Sequence, residues 1–181
     1  MLPSFLRYIF WFLNKFFMVP IFRLGIGPFF GNPIWGYMMV LKTTGRKSGK
    51  VRYSPVNYAI MKGNIYCLAG WGHVADWYRN LMASPDIEVI LPSGALSGAA
   101  EEVTDSTERI IALRKVLKAG GFAGFMFGVN PYTASDEILA EKTKGTSLIR
   151  IKPCGIGSGA SDPGGWLWIP IVILLIVLAL K

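Results

Sequence analysis

Apolar positions in the middle of the chain predict a series of β-strands. Runs of 5 to 10 mostly apolar or alternating residues are bounded by Gly, Pro, Asn and Ser clusters, which is typical of strands separated by turns. Short connections at 62–64 and 92–94 join neighbouring runs as hairpins, so we expect an antiparallel sheet. The predicted strands are 37–41, 51–60, 65–69, 87–91 and 95–103, with a last strand at 147–152.

Two helices are predicted between these strands. Residues 75–83 place Trp77 and Leu81 on one face of a short helix. A second helix begins at Asp105, where an acid three residues later forms the pattern of a capping box, and it continues to residue 118 before a Gly-Gly pair. The segment 122–132 that follows is rich in aromatic residues and glycine, which suits either a pocket wall or core filling.

Both ends of the chain are more apolar than the middle. Residues 4–18 predict a helix with a narrow polar stripe that lies on a bilayer or on a protein core, and Pro20 is expected to end it. Residues 166–180 carry no polar side chain and would span roughly 22 Å as a helix, against ~30 Å for a hydrocarbon core. We expect a membrane anchor there, the alternative being a helix buried in an oligomer. The predicted segments are an N-terminal helical segment at 1–35, a cofactor-binding domain at 36–153, a flexible linker at 154–165 and a C-terminal membrane anchor at 166–181.

Composition and charge narrow the class of partner. Apolar residues make up 52% of the chain and charged residues only 17%. This apolar fraction exceeds what a soluble domain needs and predicts contact with lipid. Residues 1–75 contain nine Lys and Arg but no Asp or Glu, so this half is expected to bind a phosphate, a polyanionic cofactor tail or an acidic lipid surface. No nucleic-acid-binding motif is present, and neither Cys67 nor Cys154 has metal-ligand spacing, so free thiols and no metal are expected.

The basic hairpin at residues 40–52 is the strongest candidate for chemistry. Gly45 and Gly49 allow a tight turn, and side-chain hydroxyls and backbone amides converging there would hold a phosphate, although a solvated basic turn is the alternative. It is not a nucleotide P-loop, because three residues separate the glycines and a strand follows. Its cations are Lys42, Arg46, Lys47, Lys50 and Arg52, and its hydroxyls are Thr43, Thr44 and Ser48.

Several motifs occur in an order that resembles a known family. Residues 43–49, Arg52, residues 69–72, residues 76–81 and the last strand resemble the deazaflavin-dependent nitroreductases and their quinone-reductase relatives over residues 36–153. The resemblance implies an α+β, mainly β fold: a split β-barrel with flanking helices. It also implies coenzyme F420, an 8-hydroxy-5-deazaflavin with a phosphate and an oligoglutamate tail, as cofactor.

The resemblance also implies roles for individual residues. The turn and the arginine after it would hold the phosphate and tail, the segment after the third strand would approach the deazaflavin ring, and the helix after that would flank the cofactor. The residues concerned are Arg46, Lys47, Ser48, Gly49 and Arg52 for the first role, Ala69, Gly70, Trp71 and Gly72 for the second, and Trp77, Tyr78 and Asn80 for the third.

The expected reaction is hydride transfer to an apolar conjugated acceptor such as a quinone or a nitro compound. Tyr58 and Tyr132 are candidate proton donors, and Phe122, Phe125, Phe127 and Tyr132 are expected to line the acceptor pocket. Two alternatives remain: an FMN-binding oxidoreductase with the same barrel, and a non-catalytic, membrane-tethered binding protein. We further expect the protein at the cytoplasmic face of the cell membrane, in contact with lipid, and a homodimer is possible.

Overall fold

The central part of the chain forms a six-stranded antiparallel β-barrel. The computed structural model describes residues 4–23, 31, 33–34, 36–159 and 168–180. The strands are β1 (Met38–Thr44), β2 (Val51–Met61), β3 (Asn64–Ala69), β4 (Asp86–Leu91), β5 (Gly94–Glu102) and β6 (Ser147–Ile156). The α-helices are α1 (Ser4–Leu13), α2 (Val19–Arg23), α3 (Asp76–Ala83), α4 (Ser106–Ala119), α5 (Asp136–Lys142) and α6 (Trp168–Ala179).

The strand order closes the sheet on itself. Going around the barrel, the order is β1-β2-β3-β6-β5-β4, and β4 pairs again with β1. The β1–β4 pairing covers only Val40 to Lys42, opposite Ile90 to Glu88, so the last residues of β1 and the first of β4 are unpaired with each other. A cleft of about 260 Å³ lies at this opening, beside the basic hairpin. The predicted α+β, mainly β barrel is confirmed.

Alternate residues of the strands fill the barrel interior. Met39 and Leu41 of β1 pack in one cluster with Val56 of β2, and all three are buried. Helix α3 adds Leu81 to the same cluster, so it lies against the interior rather than on an outer face. Burial of large apolar side chains in this way, at about 25 cal/mol per Å² of apolar surface, is the main stabilising term for such a fold.

Helix α4 covers the outside of the barrel and begins at the predicted cap. The Asp105 carboxylate accepts a hydrogen bond from the Glu108 amide at 2.6 Å. The Glu108 side chain does not complete the capping box, because it instead accepts hydrogen bonds from Tyr66 and Arg150, each at 2.7 Å. The sequence pattern therefore identified the helix start correctly but not the partner of its acid.

The N-terminal helix continues beyond Pro20, contrary to prediction. Residues Asn14–Met18 form a π-helix, and the Val19 amide bonds to the Asn14 carbonyl, five residues back. Proline lacks an amide and its ring clashes with the carbonyl four residues earlier in a regular α-helix. We attribute its tolerance here to the wider π-turn just before Pro20, which allows α2 to continue to Arg23.

The C-terminal part differs from prediction in length. Strand β6 extends to Ile156, and the Gly157 amide still bonds to the Ala95 carbonyl, so the barrel includes residues that were predicted to be linker. Residues 160–165 of that linker, residues 166–167 and Lys181 lie outside the described residues. Helix α6 has 12 residues, and among the helices that the structure describes none combines the length and apolarity needed to cross a bilayer.

Candidate functional site

The backbone of the basic turn is closed by its own hydrogen bonds. The Ser48 and Gly49 amides both donate to the Gly45 carbonyl, and the Gly45 amide donates to the Lys50 carbonyl at 2.9 Å. Gly49 has φ +64°, a conformation that strongly favours glycine. The predicted convergence of amides on an anion is therefore wrong for these three groups, and an anion at this turn must be held by side chains.

Arg46 connects the turn to helix α3. Its guanidinium forms an ion pair with Asp76 at 3.0 Å and donates to the amide oxygen of Asn80 at 3.0 Å. The Arg46 backbone amide donates to the same oxygen at 3.2 Å. Asn80 is buried, so its oxygen is satisfied entirely by Arg46 among the contacts described. Arg46 and Asn80 therefore fix the turn on the helix, and Asp76 neutralises much of the charge that Arg46 would offer a ligand.

Three other cations of the turn have no acidic partner among the residues that the structure describes. Lys47, Lys50 and Arg52 are exposed, and Arg52 donates only to the Ser48 hydroxyl at 3.4 Å. Three cations without counter-charges, next to a hydroxyl, are suited to a phosphate or a polycarboxylate. The residues present therefore fit the anionic part of F420. Lys42 is different, because its ammonium lies 3.0 Å from the Glu88 carboxylate.

The cleft beside the turn contains a buried polar group without a partner. The Thr43 hydroxyl is buried and makes no hydrogen bond within the described part of the chain. Thr43, Thr44 and Val51 line the cleft together with the first residues of β4. An unpaired buried hydroxyl costs roughly 1–3 kcal/mol. This position is therefore favourable for a ligand or a water that would accept a hydrogen bond from the Thr43 hydroxyl.

The segment after β3 packs closely on another loop. Ala69 is buried in the barrel core, and Gly72 has φ +56°. A Cβ atom on Gly72 would collide with the carbonyl oxygen of Gly145. Packing against Gly145 is therefore sufficient to explain the glycine, without a close approach to a cofactor ring. Gly70 and Trp71 lie in the same turn and are half-buried.

The aromatic residues of α3 are occupied by packing. Tyr78 is buried and donates to the Glu102 carboxylate of β5 at 2.6 Å, and burial together with this hydrogen bond raises its pKa. The ring of His73 lies edge-on to Tyr78, with centroids 4.9 Å apart. Trp77 is half-buried against the barrel core. Tyr78 therefore holds α3 on the barrel, and Trp77 presents only part of its surface to a ligand.

Tyr58 lies towards the other end of β2. Its amide donates to the Tyr37 carbonyl at 3.2 Å, and the Tyr37 amide donates to the carbonyl of Ala119, the last residue of α4, at 2.8 Å. Burial, with a smaller contribution from Tyr37, raises the pKa of Tyr58. The Tyr58 phenol is therefore protonated at neutral pH and is able to donate a proton or a hydrogen bond.

The residues predicted to form an acceptor pocket do not surround an enclosed cavity. Phe122, Phe125 and Tyr132 are exposed, and the rings of Phe125 and Tyr132 stack with centroids 6.3 Å apart. Phe127 is instead half-buried against a core cluster between α4 and α5. Three of the four predicted side chains thus form a surface, and the fourth contributes to stability.

The two groups of predicted residues lie at different ends of β2. Arg52 and the turn are at its start, whereas Tyr58 is six residues along, which corresponds to ~20 Å at the rise of a strand. The structure therefore brings the cations together with α3, and connects Tyr58 through Tyr37 to the end of α4, just before the aromatic segment. It does not bring the two groups into contact with each other.

Sequence reasoning assigned no role to two residues that contact these groups. Asp76 is the first acid after nine cations and stands at the start of a predicted helix, so its pairing with the turn had a detectable signal. Tyr37 had none, because its contact with Tyr58 depends on the register between β1 and β2.

The sequence model of the F420H2-dependent quinone reductase family matches residues 26–129. The chain belongs to this family. It is therefore an F420H2-dependent oxidoreductase, and its cofactor is coenzyme F420, as the motif order implied. The alternatives of an FMN-dependent enzyme and a non-catalytic tether do not agree with this membership.

Solved structures similar to this chain include one that reaches a TM-score of 0.50 and supports the fold. A proposed 5-nitroimidazole antibiotic resistance protein from Bacteroides thetaiotaomicron is 12% identical with a TM-score of 0.50, over 65% of this chain and 73% of that one. An F420-H2 dependent reductase is 24% identical with a TM-score of 0.46, over 63% and 92%. A proposed pyridoxamine 5′-phosphate oxidase from Listeria innocua is 12% identical with a TM-score of 0.48, over 67% and 86%.

Proposed function

We propose that this oxidoreductase reduces an apolar conjugated acceptor, a quinone before a nitro compound, at the cytoplasmic face of the cell membrane. The observation that carries the proposal is the division along β2: the turn holds cations without an acidic partner among the described residues, and ~20 Å away the protonated Tyr58 is bonded to the exposed Tyr37. A cofactor with an anionic tail and a distant reactive ring matches that division. An apolar acceptor matches the aromatic end.

The turn supplies binding energy rather than chemistry. We assign the phosphate and the oligoglutamate tail to Lys47, Lys50 and Arg52, with Ser48 as an additional hydroxyl, because these cations have no acidic partner among the described residues. Arg46 acts mainly as a positioning residue, since Asp76 and Asn80 already occupy its guanidinium. With its tail at the turn, an extended F420 molecule would direct its ring along β2 towards Tyr58.

The chemistry needs little from the protein. Reduced F420 supplies a hydride when bound, so neither a nucleophile nor a metal is required. A quinone becomes a hydroquinone by gaining one hydride and one proton, and we assign that proton to the Tyr58 phenol, which solvent would reprotonate. Tyr132 is a poorer donor because it is exposed and its hydroxyl is directed to the Lys118 carbonyl at 3.5 Å. The protein therefore contributes mainly by aligning the reactants.

The terminal helices favour a membrane location. Helix α1 and the π-helix expose several aromatic side chains, among them Phe5, Trp11 and Phe16, and α6 is apolar and exposed over residues 172–179. Helix α1, with its narrow polar stripe, suits the interfacial layer of a bilayer, whereas the uniformly apolar α6 suits insertion into the acyl-chain region. We therefore assign the lipid contact to these helices, which would keep the enzyme close to a lipid-soluble acceptor.

Titration with F420 tests the binding assignment. Quenching of cofactor fluorescence would give the Kd of wild type, Lys47→Ala and Arg52→Ala, with Lys144→Ala as a control that removes an exposed cation elsewhere. We expect each of the first two to weaken binding about tenfold, corresponding to one charge-assisted hydrogen bond. An unchanged Kd in both variants would mean that the turn does not bind F420.

Steady-state oxidation of reduced F420 tests the acceptor end. With a quinone in vesicles, Tyr58→Phe is expected to lower kcat by at least tenfold at nearly unchanged F420 affinity, because proton donation contributes about 10²- to 10⁴-fold in such reactions. Tyr132→Phe is the matched control and is expected to retain most activity. Equal rates for wild type and Tyr58→Phe would exclude Tyr58 as the proton donor.

A further inference from the structure

Five large side chains form an exposed surface on the barrel, which we call the aromatic face. Backbone hydrogen bonds hold it together: the Phe122 amide donates to the Ile34 carbonyl at 2.9 Å, and Tyr37 is tied to the end of α4. The face is therefore fixed to the barrel and to the end of α4. Its members, exposed by 44 to 72%, are Ile34, Tyr37, Phe122, Phe125 and Tyr132.

Cations accompany these rings. The Lys118 ammonium lies 5.2 Å from the centroid of the Tyr132 ring, and Lys115 is exposed one turn earlier on α4. The same arrangement occurs on the N-terminal helix, where the Lys15 ammonium lies 4.9 Å from the Trp11 ring. Rings with a lysine held above them are typical of the membrane–water interface, where the ring contacts acyl chains and the ammonium contacts headgroups.

The charge around the face favours an anionic surface. The acid that contacts α4 from α5, Asp136, is paired with Arg114 at 2.6 Å. Lys115 and Lys118 have no acidic partner among the residues that the structure describes, and the chain carries a net charge of +8. An anionic bilayer is complementary to this charge.

We propose that the aromatic face rests on an anionic lipid bilayer, with its rings at headgroup depth. The inference depends on the membrane location proposed above and adds the surface that makes the contact. A bilayer is favoured over a second copy or another protein because the side chains protrude from a cationic surface, and lipid accepts single rings without shape complementarity.

This orientation has a consequence for both reactants. Tyr37 connects the face to Tyr58, so an acceptor dissolved in the bilayer would reach the proton donor without crossing water. The basic turn lies ~20 Å away along β2 and remains in water, where it can take up a soluble anionic cofactor. The two substrates would thus enter from opposite sides.

Site-specific labelling tests the orientation in the full-length protein. In a Cys154→Ser background, where the remaining Cys67 is buried, an environment-sensitive fluorophore is attached to Phe122→Cys or to Ala83→Cys, an exposed position on α3. With vesicles of phosphatidylglycerol we expect a blue shift, and quenching by brominated lipid, for the label at 122 and not for the label at 83. Sedimentation with the same vesicles measures binding in parallel.

Each outcome decides a different statement. Sedimentation without any spectral change at 122, or with equal changes at both positions, would refute the proposal that the aromatic face contacts the bilayer. Membrane association itself would still stand. Failure to sediment would overturn both.

Substitution provides an independent check. Replacing both Phe122 and Phe125 by Ser is expected to weaken vesicle binding about tenfold or more, whereas Ile156→Ser, which removes another exposed apolar side chain, is expected to have little effect. Equal binding by the two variants would also overturn the proposal.

Discussion

Replacing Gly72 by alanine tests whether this glycine is needed for packing or for the cofactor. The residue has φ +56°, and a Cβ atom would collide with the Gly145 carbonyl oxygen. Gly63 is the matched control, because it has φ +75° but nothing within 4 Å of an added Cβ. Both substitutions carry the cost of a left-handed backbone, about 1–2 kcal/mol. Only Gly72→Ala adds a steric overlap, typically about 1–3 kcal/mol in a packed region.

We therefore expect the free energy of unfolding to fall by about 1–2 kcal/mol in Gly63→Ala and by about 2–5 kcal/mol in Gly72→Ala. In a chain of this size each kcal/mol lowers Tm by about 2 to 4 °C. Urea unfolding of the cofactor-free, full-length protein in mild detergent gives the comparison, and fluorescence titration with F420 below both transitions gives the affinity.

Two results would refute this reasoning. Equal stability of the two variants, with F420 affinity unchanged, would mean that the loop of Gly145 moves aside at no cost. A Gly72→Ala variant as stable as Gly63→Ala, but with much weaker F420 binding, would instead show that the glycine admits the cofactor ring.

Three further predictions concern stability and reactivity. Burial raises the pKa of the Cys67 thiol to about 12, so a thiol reagent at pH 8 should modify only Cys154 in the native protein and both cysteines in urea. Asp105→Ala removes the cap of α4 and should lower the free energy of unfolding by about 1 kcal/mol. Burial alone would raise the pKa of Glu88, but hydrogen bonds led by that from Lys42 outweigh it and lower the pKa. Its contribution to stability is present above the pKa of the unfolded state and is lost as the pH falls through the folded pKa. The difference in unfolding free energy between wild type and Glu88→Gln should accordingly narrow on acidification, and a difference that widens would contradict the assignment.

The strands and the main helices were predictable because their signals are local. Alternating apolar residues and Gly-containing turns determine β1 to β5 within a few residues, and Asp105 marks the start of α4. Helix α5 was not predicted, although Ser135 accepts a hydrogen bond from the Ile138 amide as an N-cap. The signal was present in the sequence, but the helix has only 7 residues.

The site was predictable in its residue types but not in its pairing. The cations of the basic turn were identified correctly as a group, yet the pairing of Arg46 with Asp76 and of Lys42 with Glu88 depends on which elements meet in space. Backbone groups were harder still, because the Gly49 amide bonds within the turn instead of pointing outwards. The continuation of the N-terminal helix past Pro20 required a backbone adjustment that side-chain patterns do not report.

Closure of the barrel restricts how two copies of this protein can associate. Every strand that the structure describes has a neighbour on both sides, but the pairing is incomplete: residues 51–57 of β2 pair only with β1, and the end of β1 and the start of β4 are not paired with each other. Free peptide groups are therefore confined to short stretches of strand rather than to a whole open edge. A homodimer that forms away from these stretches would be held through side chains on the outer surfaces. Such an assembly would separate into intact barrels on dilution, and its stability would respond to mutation of surface residues rather than to changes in strand sequence.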